Sequence, residues 1–158
     1  FAPAVTPDVR VLILGSLPGE RSLAQQQYYA HPRNQFWRLV GELAGEDLSS
    51  LDYEARLVRL HAQGIGLWDV VATAIRPGSL DQHLRDVIPN RLVDLTASLP
   101  ELRAIAFNGS TASRIGRREI GQADRLTLID LPSSSPAYTL PYARKADAWR
   151  TLAAWLTD

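Results

Sequence analysis

Four short apolar runs, each stopped by glycine, proline or a small polar residue, restrict this chain to very few folds. Val9 to Leu14 ends at Gly15, and Ile65 to Ala72 (IGLWDVVA) reads as a strand and its exit, followed by a long irregular segment holding Arg76, Pro77 and Gly78. Ala104 to Phe107 feeds Asn108 and Gly109, and Leu126 to Leu131 stops at Pro132. Runs this short and this apolar read as strands buried on both faces. Between them lie helical patterns. Asn34 can start a helix in which Phe36, Trp37, Leu39, Val40 and Leu43 recur at helical spacing up to Gly45. Further helices are expected over Leu51 to Gln63, Arg91 to Leu99, Ser110 to Arg118 and Tyr142 to Leu156, with Ser16 to Arg33 as a polar loop. Strands separated by helices require right-handed crossovers, so an α/β fold with a mostly parallel sheet covered on both faces is predicted.

The 158 residues show no internal repeat or low-complexity linker, which predicts a single domain over 9–158 preceded by a flexible lead-in, 1–8. With no cysteine there is no thiol nucleophile, disulfide framework, cysteine-held zinc or iron–sulfur cluster. His31, His61 and His83 lack metal-ligand spacing, so neither metal nor organic cofactor is expected. No apolar run reaches the roughly 18 residues of a membrane span and no export signal is visible, so the expected location is cytoplasmic, with no membrane and no obligate protein partner. A formal net charge of 0 argues against a general polyanion binder but not against a site-specific enzyme. The cationic side chains are almost all arginine, Lys145 being the only lysine, and the planar arginine fork suits phosphate.

Three motifs lie downstream of strand ends, where open α/β sheets bind ligands. In GSLPG, residues 15 to 19, glycines on either side of Pro18 make a tight turn whose N–H groups can face an anion or a carbonyl. It lacks the Lys-Ser/Thr pair of a nucleotide phosphate loop. In YYAHPRNQFW, residues 28 to 37, Pro32 restricts His31 to an extended conformation and Asn34 stands at a helix start, either as an ordinary cap or as a carboxamide fixed in the cleft. In LPSSSPA, residues 131 to 137, Pro132 and Pro136 bracket Ser133, Ser134 and Ser135 in a stiff loop able to grip phosphate oxygens. Asp69 and Asn108 mark two more strand ends; Asp69 either acts chemically or caps the following loop.

Taken together these residues resemble the uracil-DNA glycosylase superfamily over nearly the whole chain, with the closest likeness to its hypoxanthine-DNA glycosylase branch. GSLPG is similar to the superfamily's first motif, with Ser16 where mismatch-specific uracil enzymes carry a catalytic asparagine. HPRNQFW is similar to the stretch that supplies the catalytic asparagine in the hypoxanthine branch, here Asn34. LPSSSPA resembles the loop that presses on the DNA backbone, FNGSTA the segment that supplies a base contact, and WDVVATAIRPGSLD the same branch, with Val71 replacing a usual cysteine. The resemblance implies a three-layer α/β/α fold around a four-stranded, mostly parallel sheet, and a cofactor-free enzyme acting on DNA that contains a deaminated base.

On that likeness Asn34 is the catalytic residue, its amide oxygen orienting the attacking water, with protonated His31 assisting the leaving base. Tyr29 stacks on the flipped base, and Gly15, Ser16, Leu17, Gly19 and Asn108 line the base pocket. Ser133, Ser134, Ser135, Arg76 and Arg114 hold the DNA backbone, while Tyr138 or Leu140 leans into the vacated stack. Hypoxanthine offers an O6 acceptor and an N1–H donor where adenine offers the reverse, so a fixed donor at position 6 would disfavour adenine by roughly 1–3 kcal/mol per unpaired group. Three alternatives stay open: a uracil or G/U mismatch enzyme, a lesion-binding domain without turnover, and a serine hydrolase built from Ser16 or Ser134 with His31 and Asp69.

Overall fold

The computed structural model describes residues 1–77, 79–81, 84–123 and 125–157. His83, with Gly78, Gln82, Asp124 and Asp158, lies outside them. The elements in chain order are β1 (Val11–Gly15), α1 (Glu20–Gln25), α2 (Phe36–Ala44), a 3-10 turn (Leu48–Ser50), α3 (Tyr53–Ala62), β2 (Ile65–Asp69), β3 (Val71–Ile75), β4 (Arg85–Pro89), α4 (Leu92–Ala97), β5 (Ala104–Asn108), α5 (Ser110–Ile120), β6 (Thr127–Leu131), α6 (Tyr142–Arg150) and α7 (Ala153–Leu156). Four strands form one parallel sheet in the order β2-β1-β5-β6, while β3 and β4 pair antiparallel as a separate ribbon.

Two apolar layers sandwich the sheet, as the unbroken apolar strands require. Val11 and Ile13 of β1, with Ala104 and Ala106 of β5, face Phe36, Trp37, Leu39, Leu60, Trp149 and Leu152. Their neighbours Leu12, Leu14, Ile105 and Phe107 face Leu92, Ala112, Ile115 and Ile120 on the other side. The strand period of two thus sends alternate residues into α2, α3 and α6 on one face and into α4 and α5 on the other, giving the three-layer α/β/α architecture. The alanines of β5 stand where large aromatics press from the first face.

Helix α5 approaches β5 closely because Gly116 has no side chain. A Cβ at Gly116 would lie 2.4 Å from Phe107 Cε1 and 3.1 Å from Val70 Cγ1. Phe107 is fully buried and its ring has nowhere to retreat. Gly116→Ala is therefore expected to destabilise the fold by about 1–3 kcal/mol through overpacking. A thermal melt should show a midpoint roughly 3–10 °C lower.

The stretch IGLWDVVA is a strand and its exit, as expected: Val70 N donates to Gly15 O and Asn90 N donates to Val70 O, so the chain leaves the sheet after Asp69. Local patterning misses several other features. The irregular segment that follows contributes to the β3–β4 ribbon, with register shifts between Val71 and Ile75. The loop Ser16 to Arg33 contains the short helix α1, and the closing helix breaks at Thr151 into α6 and α7. The lead-in 1–8 runs along the sheet. Strand β2 is a sheet edge, and an unpaired edge offers backbone groups to any neighbouring segment. Ala4 and Leu67 exchange backbone hydrogen bonds of 2.9 Å each way, and Trp68 Nε1 donates to Phe1 O at 2.8 Å.

Candidate active site

The parallel register brings Gly15, Asp69 and Asn108 to one edge of the sheet, Gly15 opposite Asp69 and Asn108 opposite Leu131. Glycine is required at position 15 by proximity. A Cβ there would meet Asp69 Oδ1 at 2.8 Å and the Tyr29 hydroxyl at 2.9 Å. The missing side chain lets a carboxyl and a phenol close over the end of β1. Tyr29 reaches this point in the left-handed region, φ 55°, a conformation uncommon outside glycine and asparagine that needs its surroundings to hold it. Its ring stacks on Phe36, centroids 3.9 Å apart and 18° from parallel, and burial pushes its hydroxyl pKa well above the usual range.

Asp69 is 4% exposed, and its Oδ2 is buried without a hydrogen-bond partner among the described residues. Burial raises its pKa to about 7; the Asp81 charge adds to the rise, while the amino terminus and Arg76 oppose it. The sequence allowed either a chemical or a capping role for Asp69. Among the described residues its carboxylate makes no cap contact, and it stands at the site edge as a nearly buried acid.

A directional hydrogen-bond chain joins three of the motifs. Ser134 N donates to Asn108 Oδ1 (2.9 Å), and Asn108 Nδ2 donates to Ser134 Oγ (2.9 Å) and to the Tyr29 hydroxyl (3.3 Å). Ser134 Oγ donates onward to Asn34 Oδ1 (2.8 Å), which also accepts from Phe36 N (2.9 Å). The two readings of Asn34 are thus not exclusive: the same oxygen caps α2 and is held in the cleft. Ser134, placed by the sequence among the phosphate-gripping serines, is only 1% exposed and its hydroxyl is engaged by Asn108 and Asn34. Ser133 and Ser135 remain at the half-buried rim, where their hydroxyls accept from Ser135 N and Ala137 N within the loop.

Arg76, expected at the DNA backbone, is engaged within the protein. Its side chain is 4% exposed, and its guanidinium donates to Leu17 O, Pro18 O and Asp81 Oδ1, at 3.4, 2.6 and 3.2 Å. Ser16 Oγ donates to the other Asp81 oxygen at 2.6 Å, and Ser79 Oγ accepts from Glu20 N at 3.0 Å. Arg76, Ser79 and Asp81 therefore clamp the GSLPG turn from outside, with Gly19 close against Ser79. Arg76→Ala should lower stability by about 1–3 kcal/mol through the unpaired carbonyls it leaves. It should leave unchanged the slope of log affinity against log salt for DNA, whereas loss of a phosphate contact would reduce that slope by about 1. A reduced slope would return Arg76 to the interface.

The last loop rests on buried donors. Trp149 Nε1 donates to Pro132 O at 2.9 Å, and Lys145 Nζ donates to Gln35 Oε1 and Ser135 O at 2.9 and 3.1 Å. Lys145 is 1% exposed, and burial holds its ammonium below the usual lysine range. Its role, like that of Asp81, was not legible locally; the one available signal was a single lysine in an arginine-rich chain. His31 Nδ1 accepts from Arg33 N at 3.1 Å, which leaves Nε2 as the ring nitrogen free to face a ligand. Neither Ser16 nor Ser134 donates to His31, so the serine-hydrolase arrangement is not formed. Arg114 lies exposed on α5, Tyr138 is exposed beside the loop, and Leu140 is half-buried. Among the described residues no three acidic or histidine side chains gather as metal ligands, and no helix is long and apolar enough to cross a membrane.

Two carboxamides, a stacked tyrosine and a serine loop thus meet at the carboxyl edge of the parallel sheet. The family model of the uracil DNA glycosylase superfamily matches residues 2–157, and the chain belongs to that superfamily. Among its relatives is a hypoxanthine DNA glycosylase of Methanosarcina acetivorans, 41% identical over 139 residues and covering 87% of this chain and 85% of that protein. A hypoxanthine DNA glycosylase of Methanosarcina barkeri is 44% identical over 109 residues, 69% of each chain. The solution NMR structure of a candidate uracil DNA glycosylase from Methanosarcina acetivorans superposes with a TM-score of 0.86 at 37% identity, covering 99% of this chain and 96% of that one.

Proposed function

We propose that this protein is a monofunctional DNA glycosylase that hydrolyses the N-glycosidic bond of a flipped hypoxanthine. The observation that carries the reading is the meeting of Tyr29, Asn34, Asn108 and Ser134, from three separated motifs, at the carboxyl edge of the sheet. Relatives at 41% and 44% identity are hypoxanthine DNA glycosylases, which supports the choice of base.

A base inside the duplex is out of reach and must be rotated out, at a cost of a few kcal/mol that a mispair reduces. One face of Tyr29 is covered by Phe36, and the extrahelical base stacks on the other, a contact worth about 1–3 kcal/mol. Ser133, Ser135 and Arg114 face the DNA backbone, while His31 and the Gly15–Gly19 turn border the pocket. Asn34 is the catalytic side chain. Catalysis rests on preorganised dipoles that meet the charge growing on the departing base, the electrostatic effect that dominates such sites.

The test is a single-turnover assay on duplexes carrying hypoxanthine, uracil, xanthine or thymine opposite their natural mispairs, with undamaged controls. Fastest release of hypoxanthine is expected. Fastest release of uracil would replace the substrate but keep the enzyme class, and tight lesion binding without release would make the protein a binding domain.

A further inference from the structure

The hydrogen-bond chain at the site has a fixed polarity. Backbone N–H groups can only donate, and two of them stand at its ends: Ser134 N on Asn108 Oδ1 and Phe36 N on Asn34 Oδ1. The first fixes the orientation of the Asn108 amide, so Asn108 Nδ2 is the donor to Ser134 Oγ. Having accepted there, the serine hydroxyl passes its single proton to Asn34 Oδ1. That oxygen now accepts two hydrogen bonds, which occupies both of its lone pairs. The free edge of the Asn34 carboxamide is therefore Nδ2. It has no protein partner among the described residues, it is absent from the buried orphan atoms, and Asn34 itself is half-buried. This edge faces solvent at the site.

We propose that Ser134 and Asn108 are positioning residues that lock Asn34 with its N–H edge toward the substrate. Asn34 then acts as a donor to the acceptor atom next to the scissile bond, N3 of a purine or O2 of a pyrimidine, and not as the group that orients water through its oxygen. The inference deepens the glycosylase reading and rests on it. As the bond from the sugar C1′ to the base nitrogen breaks, its electron pair moves into the base ring, and a hydrogen bond to N3 or O2 meets that charge as it forms. Water bonds to C1′ and releases a proton to solvent, and the freed base takes up a proton from solvent. Purine N3 and pyrimidine O2 occupy equivalent places beside the sugar. Asn34 therefore sets the rate for either class of base and leaves the choice of base to the rest of the pocket.

The experiment compares Asn34→Ala, Asn34→Asp, Ser134→Ala and the Asn34→Ala/Ser134→Ala pair in single-turnover release of whichever base the wild type removes. Asn34→Asp puts an oxygen where the N–H stands, and its rate should fall at least as far as that of Asn34→Ala, about 10²–10³-fold. Wild-type or faster release by Asn34→Asp would restore the water-orienting role and overturn the proposal. Ser134→Ala should slow release about 10-fold when Asn34 is present and have no further effect when Asn34 is alanine, the non-additivity expected of one residue acting through another. Equal losses in both backgrounds would make Ser134 merely structural. Wild-type protein supplies a readout free of variants and of activity: in side-chain amide NMR, the Asn34 NH₂ protons should exchange fast with water and the Asn108 NH₂ protons slowly. Protected Asn34 protons would overturn the polarity, even if the wild type released no base and the glycosylase reading itself had failed.

Discussion

Asn34→Ala is expected to slow single-turnover base release by about 10²–10³-fold, the range seen when one preorganised transition-state donor is lost. Affinity for DNA carrying an abasic-site analogue should change little, because that ligand has no base for the amide to meet. The physical reason lies in how firmly the amide is held. Asn34 Oδ1 accepts from Phe36 N and Ser134 Oγ, at 2.9 and 2.8 Å, so little reorganisation is needed at the moment of reaction. A residue that only capped α2 would behave differently. Cap removal costs about 0.5–2 kcal/mol of stability and would appear in a thermal melt without a selective effect on the chemical step. Near-wild-type turnover with a lowered melting midpoint would reduce Asn34 to that role.

The second large effect concerns stability and pH. Asp69 titrates near pH 7 in the folded protein, raised from an ordinary 3.8, chiefly because burial penalises the charged form. In the unfolded chain it ionises near its ordinary value. Between these two pKa values the folded state binds more protons than the unfolded state, so stability is fully present below about pH 4 and declines as the pH rises to about 7, then levels. Asp69→Asn cannot titrate. Relative to that variant the wild type should lose a few kcal/mol across this window, equivalent to roughly 10 °C in melting midpoint. Melts of both proteins at matched pH values cancel the contributions of all other groups. A difference that stays flat with pH would mean that Asp69 is hydrated or paired in solution, and its orphaned Oδ2 would then need another explanation.

Much of the fold was legible because burial on two faces leaves an unmistakable local pattern. The runs at Val11–Gly15 and Ala104–Asn108 are apolar at nearly every position and buried throughout, and α2 repeats its apolar members at helical spacing. The β3–β4 ribbon escaped that reading. Its faces are mostly exposed, so its residues carry no strong period, and its register shifts would blur one. The end of β2 at Asp69 was legible, but the start of that ribbon straight after it was not: Val70 and Val71 are as apolar as the strand before them, and their backbone N–H groups donate to Gly15 and Ser16.

At the site, residue types were readable but their directions were not. Glycines at a strand end, an asparagine at a helix start and a proline-bracketed serine loop all announce themselves within a few residues, because backbone conformation is a local property. Hydrogen bonds between side chains obey no such rule. The partners of Asn34, Asn108 and Arg76 lie 100, 26 and 59 positions away in the chain. A buried polar group must find a partner wherever the packed chain supplies one, and that demand turned Ser134 inward and Arg76 onto the GSLPG turn. The sequence by itself determined the α/β order of elements, the two apolar layers and the edge of the sheet where polar residues would gather. Only the tertiary structure decided which edge of the Asn34 amide is free to meet a substrate, since the donors that occupy its oxygen are brought there by the fold.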